Sequence, residues 1–134
     1  MNHLPLGRLQ VAGESMVPTL APGDRVVVLR GVGPWRPAIR VGDLVALADP
    51  RDPGRTMIKR VIGFEAAGVV VRGDNEALST DSRHFGPVDA GGLRGRVILR
   101  YHPEHRRGRF GTSSQRVTGR ALRRWKLPPG ETRR

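Results

Sequence analysis

One serine of the chain lies in a setting suited to nucleophilic chemistry. Ser15 occupies the loop at residues 13–24, GESMVPTLAPGD, between a short alternating segment and a valine-rich run. Gly13 lets the backbone come close to a bound carbonyl, and Pro18 fixes the turn that follows the serine. Loop serines are more often solvated or cap a backbone group, so Ser15 by itself is only a candidate nucleophile.

A lysine offers a matching base. Lysine is scarce here, since the chain holds only Lys59 and Lys126. The alternating segment TMIKRVI at residues 56–62 puts Lys59 on the same strand face as Met57 and Val61. Apolar neighbours disfavour the ammonium form, and a lysine whose pKa falls by about three units from ~10.4 can act as a general base. An isolated strand lysine more often lays its stem along the surface and keeps its ammonium group in water.

A third polar cluster lies at residues 73–88, GDNEALSTDSRHFGPV. One interpretation is an Asx-rich surface loop in which Asp81 and Arg83 form a weak local ion pair. In the other interpretation the Ser79 hydroxyl orients a neutral lysine, and Asp81 and Arg83 brace the loop from behind. The residue types alone leave both interpretations open.

The elements that must position these groups are predicted to be strands of a single domain. The 134 residues include 18 Gly, 11 Pro and only 4% aromatic side chains, which is typical of a turn-rich β protein. Alternation or apolar runs predict strands at residues 8–11, 25–29, 44–48, 56–62, 68–72 and 95–101. The run at 44–48 is expected to be buried on both faces, and residues 49–54 are expected to form a hairpin loop. Residues 30–40 read as an irregular connection, in which Trp35 covers a core edge or a cleft rim.

Net charge and histidine content bear on two other classes of function, nucleic-acid binding and metal binding. The formal net charge is +12, which makes a non-catalytic basic nucleic-acid-binding module an alternative. Stacking aromatics are few, however, and no nucleic-acid motif is recognised. Cysteine is absent, and the four histidines are not spaced as a convincing metal set: His3, His84, His102 and His105. We therefore expect neither a metal site nor another cofactor.

The C-terminal residues are predicted to form a tail. We expect a domain at residues 1–105 and a basic tail at 106–134, either mobile or docked as a short amphipathic helix at 114–126. The tail could contact an anionic membrane surface or nucleic acid weakly. No segment is long and apolar enough for a transmembrane span or a signal peptide, so a soluble, cytoplasmic protein is expected.

Three sequence boxes, taken together, resemble the signal peptidase I family of Ser/Lys proteases. They are GESMVPTLAPGD at 13–24, MIKRV at 57–61, and GDN followed by STDSRHFGPV within 73–88, and they occur in the family's order. The resemblance implies roles for five side chains: Ser15 as nucleophile, Lys59 as general base, Ser79 as the lysine's orienting partner, and Asp81 with Arg83 as a structural pair. It also implies a mainly β fold with a coiled, antiparallel, barrel-like core. Deleting residues 106–134 is then expected to spare cleavage.

Two departures from the family pattern limit what the resemblance implies. Members that process secreted proteins are held by an N-terminal membrane helix, which is not predicted here. Some members also bind the oxyanion with a hydroxyl two residues before the nucleophile, where this chain has Gly13. The oxyanion hole is therefore expected to use backbone donors, including the Ser15 N–H.

In its small size and in the Arg-Tyr-His-Pro sequence at 100–103, the chain is most similar to the proteases that mature nickel-type superoxide dismutase. This resemblance implies limited proteolysis of a protein substrate, the N-terminal pro-segment of a precursor, with the nickel belonging to the substrate. A signal-peptidase-like protease with another substrate is the alternative. The self-cleaving domain of SOS-type repressors shares the fold and the Ser/Lys pair, but the loop at 79–88 favours the peptidases.

Overall fold

The computed structural model describes residues 6–30 and 39–110, and strands dominate these two stretches. The strands are β1 (Leu6–Gln10), β2 (Arg25–Arg30), β3 (Leu44–Asp49), β4 (Asp52–Glu65), β5 (Gly68–Arg72), β6 (Leu93–His102) and β7 (Gly108–Arg109). One short helix, α1 (Ser82–Phe85), and three 3-10 turns (Glu76–Leu78, Ala90–Gly92 and Glu104–Arg106) connect them. Each predicted strand is present, and β5 has the predicted bounds.

All strand pairs are antiparallel and belong to one sheet. Its order is β1-β2-β6-β3-β4-β5, and β7 pairs with β6 beside this path. The mainly β, antiparallel class is thus confirmed. Within the described residues the sheet does not close into a barrel, because β1 and β5 remain its two ends.

The connection between β3 and β4 is tighter than the predicted loop at 49–54. Asp49 pairs with Asp52, so only two residues turn between the strands. The Asp49 carboxylate stabilises this turn by accepting the Arg51 backbone N–H at 2.9 Å. The Pro-Gly pair at 53–54 suggested a loop, but it lies on the exposed first residues of β4, where proline is tolerated.

Two apolar clusters form the core, and β4 contributes to both. The serine-side core contains Val11, Met16, Leu20, Val26, Val28, Leu44, Ala46, Val97 and Phe110. The lysine-side core contains Val45, Leu47, Val61, Val69, Val71 and Val88. Ile58 packs against the first, whereas Met57 packs against the second, as the predicted alternation requires. β3 is buried along all six residues, which confirms that it is covered on both faces.

Residues 106–110 are part of the domain, so the boundary predicted after residue 105 lies too early. β7 pairs with β6, and Phe110 is buried in the serine-side core. An apolar side chain among arginines gave no periodic signal from which this return could be predicted. The rest of the predicted tail, including the helix at 114–126, lies outside the described residues and stays a prediction, as do the environments of His3 and Trp35. In the described part of the chain, no helix has the length and apolar character needed to span a bilayer.

Candidate active site

Ser15 and Lys59 line the same cleft, which lies between the loop after β1 and strand β4. The cleft has a volume of about 320 Å³. Its walls include Gly13, Glu14, Met57, Leu78 and Thr80. Residues 44 positions apart in the sequence are thus brought together because β4 runs beside the Ser15 loop.

The Ser15 loop is anchored on both sides of the serine. Met16 and Leu20 are buried in the serine-side core, and the Leu20 N–H donates to the Met16 carbonyl at 2.8 Å. At the neck of the loop, the Val11 N–H donates to the Asp24 carbonyl at 2.8 Å. Ser15 itself is half-buried. The loop therefore holds the serine at the cleft wall with its neighbours fixed in the core.

The Gly73-Asp74-Asn75 segment after β5 packs directly on the Ser15 loop. The Asn75 backbone N–H donates to the Ser15 carbonyl at 2.8 Å, and its side-chain amide donates to the Glu14 carbonyl at 3.0 Å. A Cβ at Gly73 would overlap both the Ser15 carbonyl oxygen and Ser79 Oγ. Glycine at position 73 thus permits the serine and lysine sides to meet at this close approach.

Arg60 and Asp74 form a second link between the two sides, and neither residue was predicted to have a role. Arg60 follows the lysine on β4 and donates to Asp74 from Nε at 2.8 Å and Nη2 at 2.7 Å. Asp74 also accepts the hydroxyl of Thr19, which belongs to the Ser15 loop. The only available sequence signal was the opposite charge of two residues 14 positions apart, and such pairs are common by chance.

Lys59 is buried, with only 2% of its surface exposed, so the solvated arrangement is not the one adopted. Its Nζ lies 3.1 Å from Ser79 Oγ. Burial lowers the pKa of Lys59 to about 8, and the positive charges of Arg55 and Arg51 act in the same direction. The negative charge of Asp81 opposes this shift. A useful fraction of the lysine is therefore neutral near physiological pH.

Ser79 connects the lysine to Asp81, and the direction of its hydrogen bonds matters. Ser79 Oγ donates its proton to Asp81 Oδ2 at 2.7 Å. A hydroxyl has a single proton, so toward Lys59 the Ser79 oxygen acts as the acceptor of an N–H. The lone pair of a neutral Lys59 amine is thereby left available for another proton.

Asp81 is completely buried, and its loop surrounds it with donors. It accepts the Gly73 N–H at 2.9 Å and Arg83 Nε at 2.9 Å. Burial would raise the pKa of Asp81, but the hydrogen bonds from Arg83, Gly73 and Ser79 together hold the pKa below its usual range. The Asp81–Arg83 ion pair expected from the sequence is therefore present, and Asp81 is ionised where it meets Ser79.

A further buried carboxylate, Asp24, braces the serine side. It forms ion pairs with Arg100 Nη1 at 3.1 Å and Arg106 Nη1 at 3.1 Å. Both arginines also donate to the backbone of the Ser15 loop: Arg100 to the Thr19 carbonyl at 2.7 Å, and Arg106 to the Pro18 carbonyl at 3.2 Å. This cluster could not be predicted from the sequence, because nothing local couples residue 24 to residues 100 and 106.

Gly13 is exposed at the cleft and has open space beside it. A Cβ built at this position would meet no atom within 4 Å. The geometry therefore leaves room at Gly13 for a side chain, or for a substrate group next to Ser15. The predicted oxyanion role of the Gly13 and Ser15 backbone stays a prediction.

None of the described histidines lines the cleft that holds Ser15 and Lys59. His84 is exposed, and its Nδ1 accepts the Asp81 backbone N–H at 3.2 Å as part of the capping box of α1. His102 and His105 are exposed near the end of β6. Across residues 6–30 and 39–110, no group of three or more metal-ligating side chains occurs.

A family model and individual relatives both show the chain to be similar to proteases. A family model described as "Signal peptidase, peptidase S26" matches residues 3–72. The chain is 34% identical over 115 residues to the "Mitochondrial ATP-independent inner membrane protease subunit 1a" of Arabidopsis thaliana, covering 69% of this chain and 68% of that protein. It is 31% identical over 117 residues to the "Mitochondrial inner membrane protease subunit 1" of Mus musculus, covering 72% and 70%.

Proposed function

The chain belongs to the signal peptidase family, peptidase S26, and we propose that it is a serine endopeptidase in which Ser15 is the nucleophile and Lys59 the general base. One observation carries this proposal. A buried lysine of lowered pKa lines the same cleft as Ser15, and its amine donates to a serine whose own proton is committed to Asp81. This arrangement orients the base without consuming its lone pair.

The reaction follows from these positions. Neutral Lys59 takes the Ser15 proton as Ser15 Oγ bonds to the scissile carbonyl carbon, and the carbonyl oxygen becomes an oxyanion. The Lys59 ammonium then gives its proton to the leaving amine, the C–N bond breaks, and an ester to Ser15 remains. Water hydrolyses this ester in the same way, with Lys59 taking a proton from the water and returning it to Ser15 Oγ. Ser79, Asp81 and Arg83 position the amine, and the backbone at residues 13–15 is proposed to bind the oxyanion.

An extended peptide fits the cleft. β4 pairs with β3 at residues 56–60, whereas its pairing with β5 begins only at Arg60. In the described part of the chain, the second edge of β4 at residues 56–59 is thus left unpaired where β4 borders the cleft. A substrate strand can add to this edge, which would place its carbonyl groups beside the lysine.

The finer assignment, removal of the N-terminal pro-segment of a nickel-type superoxide dismutase precursor in the cytoplasm, is supported by the sequence resemblance at residues 100–103. The alternative is processing of another precursor near a membrane, which the names of the mitochondrial inner membrane relatives favour. Incubating the purified protease with the dismutase precursor, and identifying the new N-terminus by mass spectrometry, separates the two.

The chemistry is tested independently of the natural substrate. Wild-type protein is incubated with peptides from a digested proteome, and new cleavage sites are identified by mass spectrometry. We expect Ser15→Ala, Lys59→Met and Lys59→Arg to give none, because a guanidinium cannot act as a base in a protein. Thr80→Ala, which changes another hydroxyl of the cleft wall, is the matched control and should retain the cleavage sites. Undiminished cleavage by folded Ser15→Ala protein would contradict the nucleophile assignment.

A further inference from the structure

A second cavity adjoins the proposed catalytic cleft. It has a volume of about 310 Å³ and is lined by residues of five neighbouring strands, β1, β2, β6, β3 and β4. The two spaces share Leu9 and Thr56 as wall residues. A polypeptide that lies in the cleft can therefore continue past this shared wall into the second cavity.

Three arginines line the second cavity: Arg8, Arg30 and Arg94. Among the described wall residues there is no carboxylate, and within the same part of the chain none of the three arginines forms an ion pair. All three are exposed, whereas most of the buried or half-buried arginines in the described part of the chain have carboxylate partners, as Arg60, Arg83 and Arg100 show. Uncompensated like charges around one space repel each other, and an anion placed among them would relieve that repulsion.

The position of Arg30 is set by Gly7. A Cβ added to Gly7 would come within 2.7 Å of Arg30 Nε and 2.9 Å of Nη2, so the guanidinium lies against this glycine of β1. Besides the arginines, Gly7 and Thr56, the described lining is apolar, with Leu9, Val28 and Ala46 contributed by three strands. A guanidinium held beside apolar residues suits an acidic peptide, whose carboxylates can pair with the arginines while the methylene groups of its side chains pack on the apolar residues.

The positive character continues into the catalytic cleft. Arg51 and Arg55 line that cleft, where Glu14 is the single acidic residue among the described wall residues. The charge of Arg51 is balanced by an ion pair with Asp49, whereas Arg55 is exposed and forms no ion pair in the described part of the chain. Cationic side chains thus extend from the reacting groups to the second cavity without an intervening acidic wall.

We propose that the cavity lined by Arg8, Arg30 and Arg94 is an exosite that binds an acidic segment of the protein substrate while another part of the same chain lies at Ser15. The inference rests on the proposed protease function for its substrate, but the binding itself does not require catalysis. A peptide is favoured over a free anion because the cavity adjoins the cleft and because Leu9, Val28 and Ala46 form an apolar part of its lining.

Binding is measured by fluorescence anisotropy with a labelled hexaglutamate peptide and the Ser15→Ala protein. We expect the combined substitutions Arg8→Gln, Arg30→Gln and Arg94→Gln to weaken binding roughly tenfold, since each exposed ion pair contributes little alone. Gly7→Ala should also weaken it, because the new methyl group displaces the Arg30 guanidinium without removing a charge. The matched control replaces three exposed arginines elsewhere: Arg25→Gln, Arg107→Gln and Arg109→Gln. This control should bind hexaglutamate almost as the parent does.

Equal loss of binding in both triple variants would overturn the exosite, because the interaction would then reflect net charge alone. Binding of a labelled single-stranded oligonucleotide at this cavity, without binding of hexaglutamate, would overturn it in favour of a nucleic-acid surface. Unchanged binding by Gly7→Ala would remove Arg30 from the site.

Cleavage of the proteome-derived peptides gives the functional result. Wild-type protein is expected to cut sites with Asp or Glu enriched on one side of the scissile bond, and the Arg8, Arg30, Arg94 triple variant should lose that enrichment while still cutting. Cleavage without any acidic enrichment would overturn the exosite and leave the protease assignment intact. If wild-type protein cuts nothing, the proposed function fails, and the hexaglutamate measurement alone decides whether the cavity binds acidic peptides.

Discussion

Two buried carboxylates, Asp81 and Asp24, brace the two sides of the site in different ways. Asp81 takes its side-chain partners from its own loop, with Ser79 and Arg83 each two positions away. Asp24 is equally buried, but Arg100 and Arg106 lie 76 and 82 positions further along the chain. The lysine side is thus assembled locally, whereas the serine side is completed only when the chain returns after β6.

This difference has a physical consequence for stability. The Asp81 loop can form its hydrogen bonds as soon as residues 73–83 are ordered, because little chain must be closed to bring the partners together. The Asp24 cluster requires β6 and the residues after it to dock on the Ser15 loop. We therefore expect damage near the C-terminal end of the described chain to act on the nucleophile, although it lies far from Ser15 in sequence.

The largest expected effect comes from two shortened proteins, one that ends before residues 106–110 and one that ends after them. A protein ending at residue 105 loses Arg106, β7 and Phe110, and should be destabilised by at least about 4 kcal/mol, since removal of a buried phenylalanine alone typically costs 3–5 kcal/mol. A protein ending at residue 110 keeps all three and should unfold and cleave like the full chain. Urea unfolding and peptide cleavage of both proteins measure the difference.

Point variants separate the two contributions. Phe110→Ala should lower stability most, whereas Arg106→Gln should lower the cleavage rate more than its effect on unfolding would suggest, because it removes the donor to the Pro18 carbonyl of the Ser15 loop. A protein ending at residue 105 that is as stable and as active as the full chain would contradict this prediction. The contacts of residues 106–110 would then have no role, and residues 1–105 would suffice for folding and activity.

The same contrast explains how much could be predicted from the sequence. β5 and the buried β3 could be located because their patterns are local, and so could the Asp81–Arg83 pair. The three boxes also identified Ser15, Lys59 and Ser79 as candidates. In the structure, the backbone at Gly73 lies against both the Ser15 carbonyl and Ser79, and Ser79 contacts the lysine. Asp24 and its distant arginines could not be found, since the chain has more than twenty basic residues and pairing depends on strand order.

The next largest effect should come from the lysine side. Ser79→Ala removes the acceptor that orients the Lys59 amine, and we expect kcat to fall roughly 10-fold to 1000-fold while Ser15 and Lys59 remain in place. Asp81→Asn should produce a similar loss, because a neutral amide no longer fixes the direction of the Ser79 proton. The measurement is kcat on a peptide identified as a cleavage site, with thermal unfolding as the check on folding.

Thr80→Ala is the matched control for Ser79→Ala, since it removes a neighbouring hydroxyl that lines the same cleft. Ser79→Thr should recover part of the rate, because its hydroxyl can make the same two hydrogen bonds. Full activity in folded Ser79→Ala protein would show that Lys59 needs no orienting partner.

The buried lysine also predicts a dependence on pH. Activity should rise with pH through a half-point near 8, because burial lowers the pKa of Lys59 to about 8 from its ordinary value of 10.5. The unfolded chain keeps the ordinary pKa and binds the proton more tightly between these two values. The free energy of unfolding should therefore rise as pH increases from about 8 to 10.5.

Lys59→Met tests this linkage, since the variant cannot titrate at residue 59. We expect it to be more stable than wild type at pH 7 by about 2 kcal/mol and to lose the rise above pH 8. Arg25→Met, on an exposed position of β2, should leave the rise unchanged. A pH–rate half-point near ~6.5 that disappears in His84→Ala or His102→Ala would instead assign the base to a histidine.

The smallest expected effect is a gain at Gly13, where the serine side has unfilled space. Gly13→Ser places a hydroxyl two residues before the nucleophile, and a Cβ there meets no atom within 4 Å. If the oxyanion forms beside residues 13–15, one added donor should raise kcat by no more than about tenfold, since the new hydroxyl is not held by any other group. Gly13→Ala fills the same space without a donor and should leave kcat unchanged. Steady-state kinetics of both variants locate the oxyanion, because a serine variant no faster than the alanine variant would place it away from residue 13.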